Sequence, residues 1–335
     1  MARISKTLGF LRRMSRLQSA TIKLASRALK PAASPVSARS VPTDRVTERT
    51  GFGSNPGALR MFVFAPPQMP AGAPLVVVLH GCGQDAASFA TNSGWIALAR
   101  ELRFPLLLPQ QVTANHANGC FNWYRPGDTG RGKGEAMSIR QMIARAAKDF
   151  DSDRRRIFIL GLSAGGAMTA AMLAAYPAVF AGGAIVAGMP VGAASGSMMA
   201  LHRMRRSDPF GHQRALVAAV HAVTSSSARR IWPRLTIWQG LADRTVDPGN
   251  AELLAAQWAG VHGQAAAAMT DEEILPGIRC RRWGSRARVR AELWTMAGLA
   301  HAYPIDATAD GGRAGPWVRE AGISATRRIA EFWGL

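Results

Sequence analysis

Long apolar runs are missing from this chain. No stretch of 18 apolar residues occurs, so a membrane-spanning helix is not expected. Cysteine is scarce: Cys82, Cys120 and Cys280 are the only three among 335 residues, too few to build a disulfide framework in place of a core. Acidic residues are outnumbered, 21 Asp and Glu against 41 Lys and Arg, which leaves a formal charge of +20. A charge of that size suits a polyanion, yet no recognised nucleic-acid motif accompanies it, so no nucleic-acid partner is expected. Apolar material is plentiful at 48% of residues, enough for the core of one large domain.

The charge is uneven. Residues 1–50 hold eleven Lys or Arg against two Asp or Glu, +9 of the +20. Within residues 1–30, Ile4, Leu8, Leu11, Met14, Leu17, Ala25 and Ala28 recur at three- and four-residue steps for much of the way, with Lys and Arg between them. That pattern predicts a basic amphipathic helix able to lie on an anionic membrane or granule surface. The alternative is a disordered, solubilising tail. Residues 31–50, rich in Pro, Ser and Ala, read as a flexible linker, so residues 1–50 form a basic extension and 51–335 the globular domain. A secretory signal needs a continuous apolar core, and here charges interrupt every run; Arg12-Arg13 is followed by no apolar region.

The most informative segment is RIFILGLSAGG, from Arg156 to Gly166. An apolar strand runs into Gly161-Leu162-Ser163-Ala164-Gly165 and then into an alanine-rich helix that ends at Tyr176-Pro177. Serine at the tip of such a strand-to-helix turn sits in strained backbone, and the flanking glycines let strand and helix close around it. This is the nucleophile elbow of the α/β-hydrolase fold, in which an acid and then a histidine follow the serine in the chain. With the elbow strand at 156–160 included, seven strand candidates fit the same architecture, at 60–65, 75–79, 105–109, 156–160, 183–187, 234–239 and 290–296. Helical segments alternate with them, so a mostly parallel central sheet with helices on both faces is expected.

Asp243 lies just past the strand 234–240, in GLADRTVDPGN, where a loop carboxylate can orient an imidazole. Asp247 competes for that role, but it precedes Pro248 and suits the turn that opens the next helix. Among the seven histidines, His80, His116, His202 and His212 are set aside by position, His80 and His116 preceding the serine. His221 falls within the helix predicted over 213–222, and His262 in a Gly-flanked loop. His301 follows the strand 290–296 and its loop, which makes it the candidate base. The oxyanion donors should be the backbone N–H of Ala164, directly after the serine, and one from the loop His80-Gly81-Cys82-Gly83-Gln84 that follows the buried strand 75–79. Cys82 is the second donor through its main chain; His80 is read as a loop anchor.

The runs LHGCGQDAASFA, NGCFNWYRPGD, RGKGEAMSIRQMI, IFILGLSAGGAMTAAMLAAYP and QGLADRTVDPGN together resemble the polyhydroxybutyrate depolymerase family of esterases, which is related to feruloyl and acetylxylan esterases. The resemblance spans about residues 59–301. It implies a serine esterase acting through an acyl-enzyme, with Ser163 as nucleophile, Asp243 as acid, His301 as base, and Cys82 and Ala164 as oxyanion donors. The substrate implied is a carboxylic ester, a short poly(3-hydroxyalkanoate) chain or oligomer, with a feruloyl or acetylxylan-type ester as the alternative. No cofactor and no metal are needed, and an extracellular site is implied over a cytoplasmic one.

The resemblance also brings the loops of Cys82 and Cys120 together, so a disulfide between them is expected in an oxidising compartment. Cys280 is then a bystander. Trp123, in CFNWY, is the aromatic expected nearest the substrate, against the alternative of a core tryptophan beneath the loop. After the histidine the chain reads HAYPID, where related enzymes often carry a Trp-rich segment, which places the acyl or polymer side of the pocket in question. Residues 195–230 read as a small cap over the pocket or a packed helical connection. A reading of another class remains: a non-catalytic surface- or granule-binding protein using the basic N-terminus.

Overall fold

The computed structural model describes residues 46–225 and 232–335. The expected helix over residues 1–30 and most of the expected linker lie outside the described residues. The domain starts earlier than residue 51, because β1 (Val46–Arg49) pairs antiparallel with β2 (Arg60–Phe64), Val46 opposite Phe64. A strand spelled VTER with its side chains largely exposed shows no apolar pattern; backbone pairing holds it in the sheet, together with the Glu48–Arg60 ion pair and the half-buried Val46.

From β2 the chain runs through β3 (Leu75–Leu79), α1 (Ala86–Asn92), α2 (Trp95–Leu102), β4 (Leu106–Gln110), α3 (Pro126–Thr129) and α4 (Gly134–Asp149). There follow β5 (Ile157–Leu162), α5 (Ala164–Ala175), β6 (Gly182–Val186), α6 (Ser197–Arg205), α7 (Gln213–Val223), β7 (Arg234–Gly240) and α8 (Gly249–Val261). The chain closes with β8 (Thr270–Leu275), β9 (Ile278–Ser285), β10 (Arg288–Met296), β11 (Tyr303–Ile305), α9 (Ala307–Asp310), β12 (Val318–Glu320) and α10 (Ala325–Trp333). Among the described residues the main sheet has the order β1-β2-β4-β3-β5-β6-β7-β10-β9-β8. From β4 to β10 every pairing is parallel, and antiparallel strands flank that centre on both sides. All of the strands expected from sequence are present; β1, β8, β9 and the small pair β11–β12 are additional.

Alternation explains why the central strands read as unbroken apolar runs. Leu75, Val77 and Leu79 of β3 face one core while Val76 and Val78 face the other, and β5 divides likewise into Ile157 and Ile159 against Phe158 and Leu160. Both faces are covered, the first by α4, α5 and α8, the second by α1, α2 and α10. Helix α5 is buried along its whole length, so its alanines are the small residues that let a helix sit between the sheet and other helices. Within the segment 195–230, α7 packs on α8 through hydrogen bonds from Gln213 Nε2 to Ala256 O (3.0 Å) and from Gln257 Nε2 to Leu216 O (2.9 Å). That half is a packed connection; residues 226–231 lie outside the described residues.

The adjacent strands β7 and β10 carry a buried tryptophan pair. Trp238 and Trp294 are register partners, their rings stacked at 4.7 Å with 3° between planes. Their indole N–H groups are satisfied by Thr236 Oγ1 (2.9 Å) and Glu292 Oε1 (2.8 Å). Trp238→Ala should therefore lower the unfolding free energy by about 3–5 kcal/mol, the usual cost of emptying an aromatic site in a packed core. Urea denaturation measures it, and a loss below about 1 kcal/mol would mean that the stack is no more than a surface-grade contact.

Candidate active site

The site lies at the carboxyl ends of the parallel strands. Ser163 directly follows β5 with φ 57° and ψ −118°, a backbone region costly for any non-glycine residue, at about 1–3 kcal/mol. The turn is possible because its neighbours lack side chains. A Cβ on Gly165 would collide with the carbonyls of Leu79 and His80, and one on Gly161 with the carbonyl of Gly165. The Ser163 N–H donates to Val186 O at 2.8 Å, which fastens the turn to the next strand.

The same close packing brings the end of β3 beside Ser163. Ala164 is the first residue of α5, so its N–H has no partner within the helix. The Cys82 N–H donates to no group among the described residues. Both residues line, with Ser163, a cavity of about 220 Å³ whose walls include Trp123, Met189, Met204 and Val246. Trp123 is half-buried at the cavity wall and packs against the cluster of Ala167, Met189 and Val246. Helix α6 supplies Ser197, Ala200, Leu201 and Met204 to the cavity, so the first half of the 195–230 segment contributes to the pocket wall.

Several ties fix the Cys82 loop. A disulfide joins Cys82 to Cys120, with Cα atoms 4.3 Å apart. His80 is fully buried; its Nε2 accepts from Gln111 N (3.1 Å), which leaves Nδ1–H to donate to Gly81 O (2.8 Å). Burial pushes the His80 pKa down to about 4, so this imidazole is a neutral anchor and no base. Gln84, which sequence reasoning left without a role, accepts from Gly81 N (2.8 Å) and donates to Pro316 O (2.7 Å).

Beneath the loop lies a carboxylate that the sequence did not single out. Glu135, at the start of α4, accepts from Gln111 Nε2 (2.6 Å), Asn122 Nδ2 (2.7 Å) and Asn122 N (2.8 Å). Gln111 Nε2 also donates to Cys120 O (3.1 Å), so the network reaches the disulfide. Burial pushes the Glu135 pKa up to about 7, against the opposing pull of its N–H donors.

The candidate acid and base follow neighbouring strands. Asp243 follows β7 and His301 follows β10, with Leu241 N donating to Met296 O (2.8 Å) and Ala242 N to Leu299 O (3.1 Å) to lock the two loops together. His301 Nδ1 meets Asp243 Oδ2 at 2.7 Å. The carboxylate also accepts from Gln239 Nε2 (3.1 Å), Thr245 N (2.8 Å) and Val246 N (2.9 Å). Burial alone would raise the Asp243 pKa, but the His301 hydrogen bond and charge, with the Val246 and Thr245 N–H groups, hold it below the usual range. No hydrogen bond joins Ser163 Oγ to the His301 ring, which stands outside the cavity lining; contacts of this kind are often long without substrate.

Asp247 accepts from Gly249 N at 2.7 Å and shapes the turn into α8. His262 Nε2 bonds to Pro233 O (3.1 Å), and burial lowers its pKa to about 4. Cys280 on β9 is buried, its thiol pushed up to about 12 by burial and by the charge of Glu292, which makes it chemically quiet. Trp317, which sequence reasoning missed, sits edge-on to the His301 ring at 5.6 Å. The aromatic beside the histidine therefore comes from the approach to β12 instead of the residues that directly follow His301.

A strained serine turn and a loop-borne Asp–His pair on one edge of a parallel sheet, covered by helices on both faces, define an α/β-hydrolase. The fold matches an acetyl xylan esterase from Aspergillus awamori with a TM-score of 0.74, over 86% of this chain and 98% of that one, at 22% identity. The family model described as Esterase PHB depolymerase matches residues 60–274, and the chain belongs to that family of carboxylic ester hydrolases. The chain is 35% identical over 293 residues to the poly(3-hydroxyalkanoate) depolymerase C of Paucimonas lemoignei, covering 87% of this chain and 70% of that enzyme. It is 29% identical over 229 residues to a feruloyl esterase B of Thermothelomyces thermophilus, covering 64% of this chain and 75% of that protein.

Glu135 gives the site a measurable pH signature. Its folded pKa, about 7, lies above the ordinary 4.5, so between those values the folded chain keeps a proton that the unfolded chain has lost. Stability from this group is therefore full below pH 4.5 and declines as pH rises to about 7, by at most about 1.4 kcal/mol per unit. Glu135→Gln cannot titrate. The difference in unfolding free energy between wild type and this variant should fall from pH 5 to pH 7 in urea titrations; a constant difference would refute the raised pKa.

Proposed function

We propose that this esterase cleaves aliphatic carboxylic esters, short poly(3-hydroxyalkanoate) chains among them, through an acyl-enzyme on Ser163. The observation that carries the reading is the 2.7 Å bond from His301 Nδ1 to buried Asp243, on the sheet edge that also bears the strained Ser163 turn. Asp243 holds the ring in the tautomer whose Nε2 is free to accept the Ser163 proton, and it stabilises the imidazolium that results. Ser163 Oγ attacks the ester carbonyl, and the negative oxygen is received by the N–H groups of Cys82 and Ala164. His301 returns its proton to the departing alcohol. Water, activated by the same imidazole, then releases the acid.

The hydroxyalkanoate substrate is drawn from the depolymerase relative and from the apolar walls around Ser163, among them Trp123, Met189 and Val246. An extracellular site of action is supported by the Cys82–Cys120 disulfide, a bond that persists in oxidising compartments. Among the described residues, no helix is long and apolar enough to cross a membrane. The non-catalytic alternative is disfavoured by the complete set of nucleophile, acid, base and oxyanion donors.

Purified protein should hydrolyse p-nitrophenyl butyrate and hydroxybutyrate oligomers. Ser163→Ala should abolish turnover with an unchanged melting temperature, and Asp243→Asn should lower kcat by roughly 10⁴-fold. Wild-type inertness on hydroxybutyrate, acetyl and feruloyl esters alike would sink the reading, while turnover confined to the sugar esters would replace the polyester by a carbohydrate ester.

Attachment to an anionic granule or membrane surface through residues 1–30 rests on their basic amphipathic sequence. Removing residues 1–45 should leave turnover of soluble esters nearly unchanged and eliminate salt-sensitive binding to anionic vesicles. Equal vesicle binding by both forms would remove that role.

A further inference from the structure

A second cavity lies on the far side of Trp123. It encloses about 200 Å³ and is lined by Ala167, Ala171, Pro190, Val191, Ala219 and Val223 among others, with no charged side chain among the described residues. Trp123 borders both this cavity and the 220 Å³ one that holds Ser163, and among the described residues no other lines both. The two share a floor, because Ala164 lines the first while Ala167 and Ala171 line the second. Those three alanines fall at i, i+3 and i+7 on one face of α5. They also share a wall: Met189 lines the first cavity, and the segment from Pro190 onward lines the second. The residue common to both halves of this trough is Trp123, whose side chain packs on the cluster of Ala167, Met189 and Val246.

Chemistry assigns the trough to one side of the ester, on the catalytic roles proposed above. The leaving alcohol must depart beside the His301 ring, which returns its proton. The first cavity contains Ser163 and both oxyanion donors but is not lined by His301, so it belongs to the acyl side. Its volume, 220 Å³, is below the roughly 300–1,000 Å³ usual for small-molecule pockets, so it suits a short acyl unit; joined to its neighbour it would enter that range.

We infer that Trp123 sets the acyl length this esterase accepts: the ring closes a short-acyl chamber, and the apolar space behind it is where a longer aliphatic acyl chain runs once the ring is gone. Short hydroxyacyl units are thereby selected over medium-chain ones. Each methylene that an apolar pocket admits or excludes is worth roughly 10-fold or more in kcat/KM.

The test is the ratio of kcat/KM for p-nitrophenyl octanoate to that for the butyrate, measured on the full chain. Trp123→Ala should raise this ratio at least about 10-fold over wild type. Adding Ala171→Phe to Trp123→Ala fills the second chamber and should return the ratio toward the wild-type value. A ratio unmoved by Trp123→Ala overturns the inference, and so does a raised ratio that Ala171→Phe leaves in place, since the chain would then run elsewhere. Should Trp123→Ala fail to fold, Trp123→Leu removes most of the ring and is read in the same way. Failure of the underlying site reading is seen separately, as ester turnover that survives Ser163→Ala.

Discussion

The close approach of Gly165 to the carbonyls of Leu79 and His80 governs the arrangement of this site. With no side chain between them, the first turn of α5 rests directly on the end of β3, so the serine turn and the Cys82 loop become parts of one structure. Cys82, Ser163 and Ala164 accordingly line one cavity. The positive φ at Ser163 is the cost of that packing, about 1–3 kcal/mol. The burial of α5 on every side is what makes the cost bearable, since a turn so enclosed has nowhere to relax.

Two buried carboxylates then hold the two halves of the site, and their different surroundings give them different charges. Asp243 accepts four hydrogen bonds, one from the imidazole opposite it, and its pKa stays low. Glu135 accepts three from neutral amides, and burial dominates, so its pKa rises to about 7. On the roles proposed for this site, a fixed negative charge suits the histidine that takes up the proton, while a carboxyl partly neutral near pH 7 anchors the Cys82 loop with less repulsion toward an oxyanion.

Much of this was legible in the sequence because the central strands are buried on both faces and therefore spelled as apolar runs, and because the elbow demands glycines at fixed positions. Ser163, Asp243 and His301 could each be placed after a strand for that reason. The edge strands were not legible. Asp271 and Glu272 of β8 pair with Arg279 and Arg282 of β9, so charge complementarity across strands replaces apolar alternation, and nothing in a single segment shows it. Glu135 was hidden for a related reason: a carboxylate in the first turn of a helix reads as an ordinary partner of the helix dipole. Only the fold shows that Gln111 and Asn122 converge on it. Trp317 was hidden because its place beside His301 depends on the pairing of β11 with β12, two strands of three residues each.

Gln84 explains why such scattered loops can hold a common geometry. Its side chain accepts from the Cys82 loop at Gly81 and donates to Pro316, the residue before the tryptophan that flanks His301. One amide thus connects the Cys82 loop to the segment that carries Trp317 beside His301. A single hydrogen bond of this kind contributes only about 1 kcal/mol to stability. Its larger effect is geometric, because it acts on a loop that the Cys82–Cys120 disulfide already restrains from the other side. Strands place the loops of the candidate site, and cross-loop ties of this kind restrain how those loops sit, which matters because catalysis is sensitive to misplacement on the order of 1 Å.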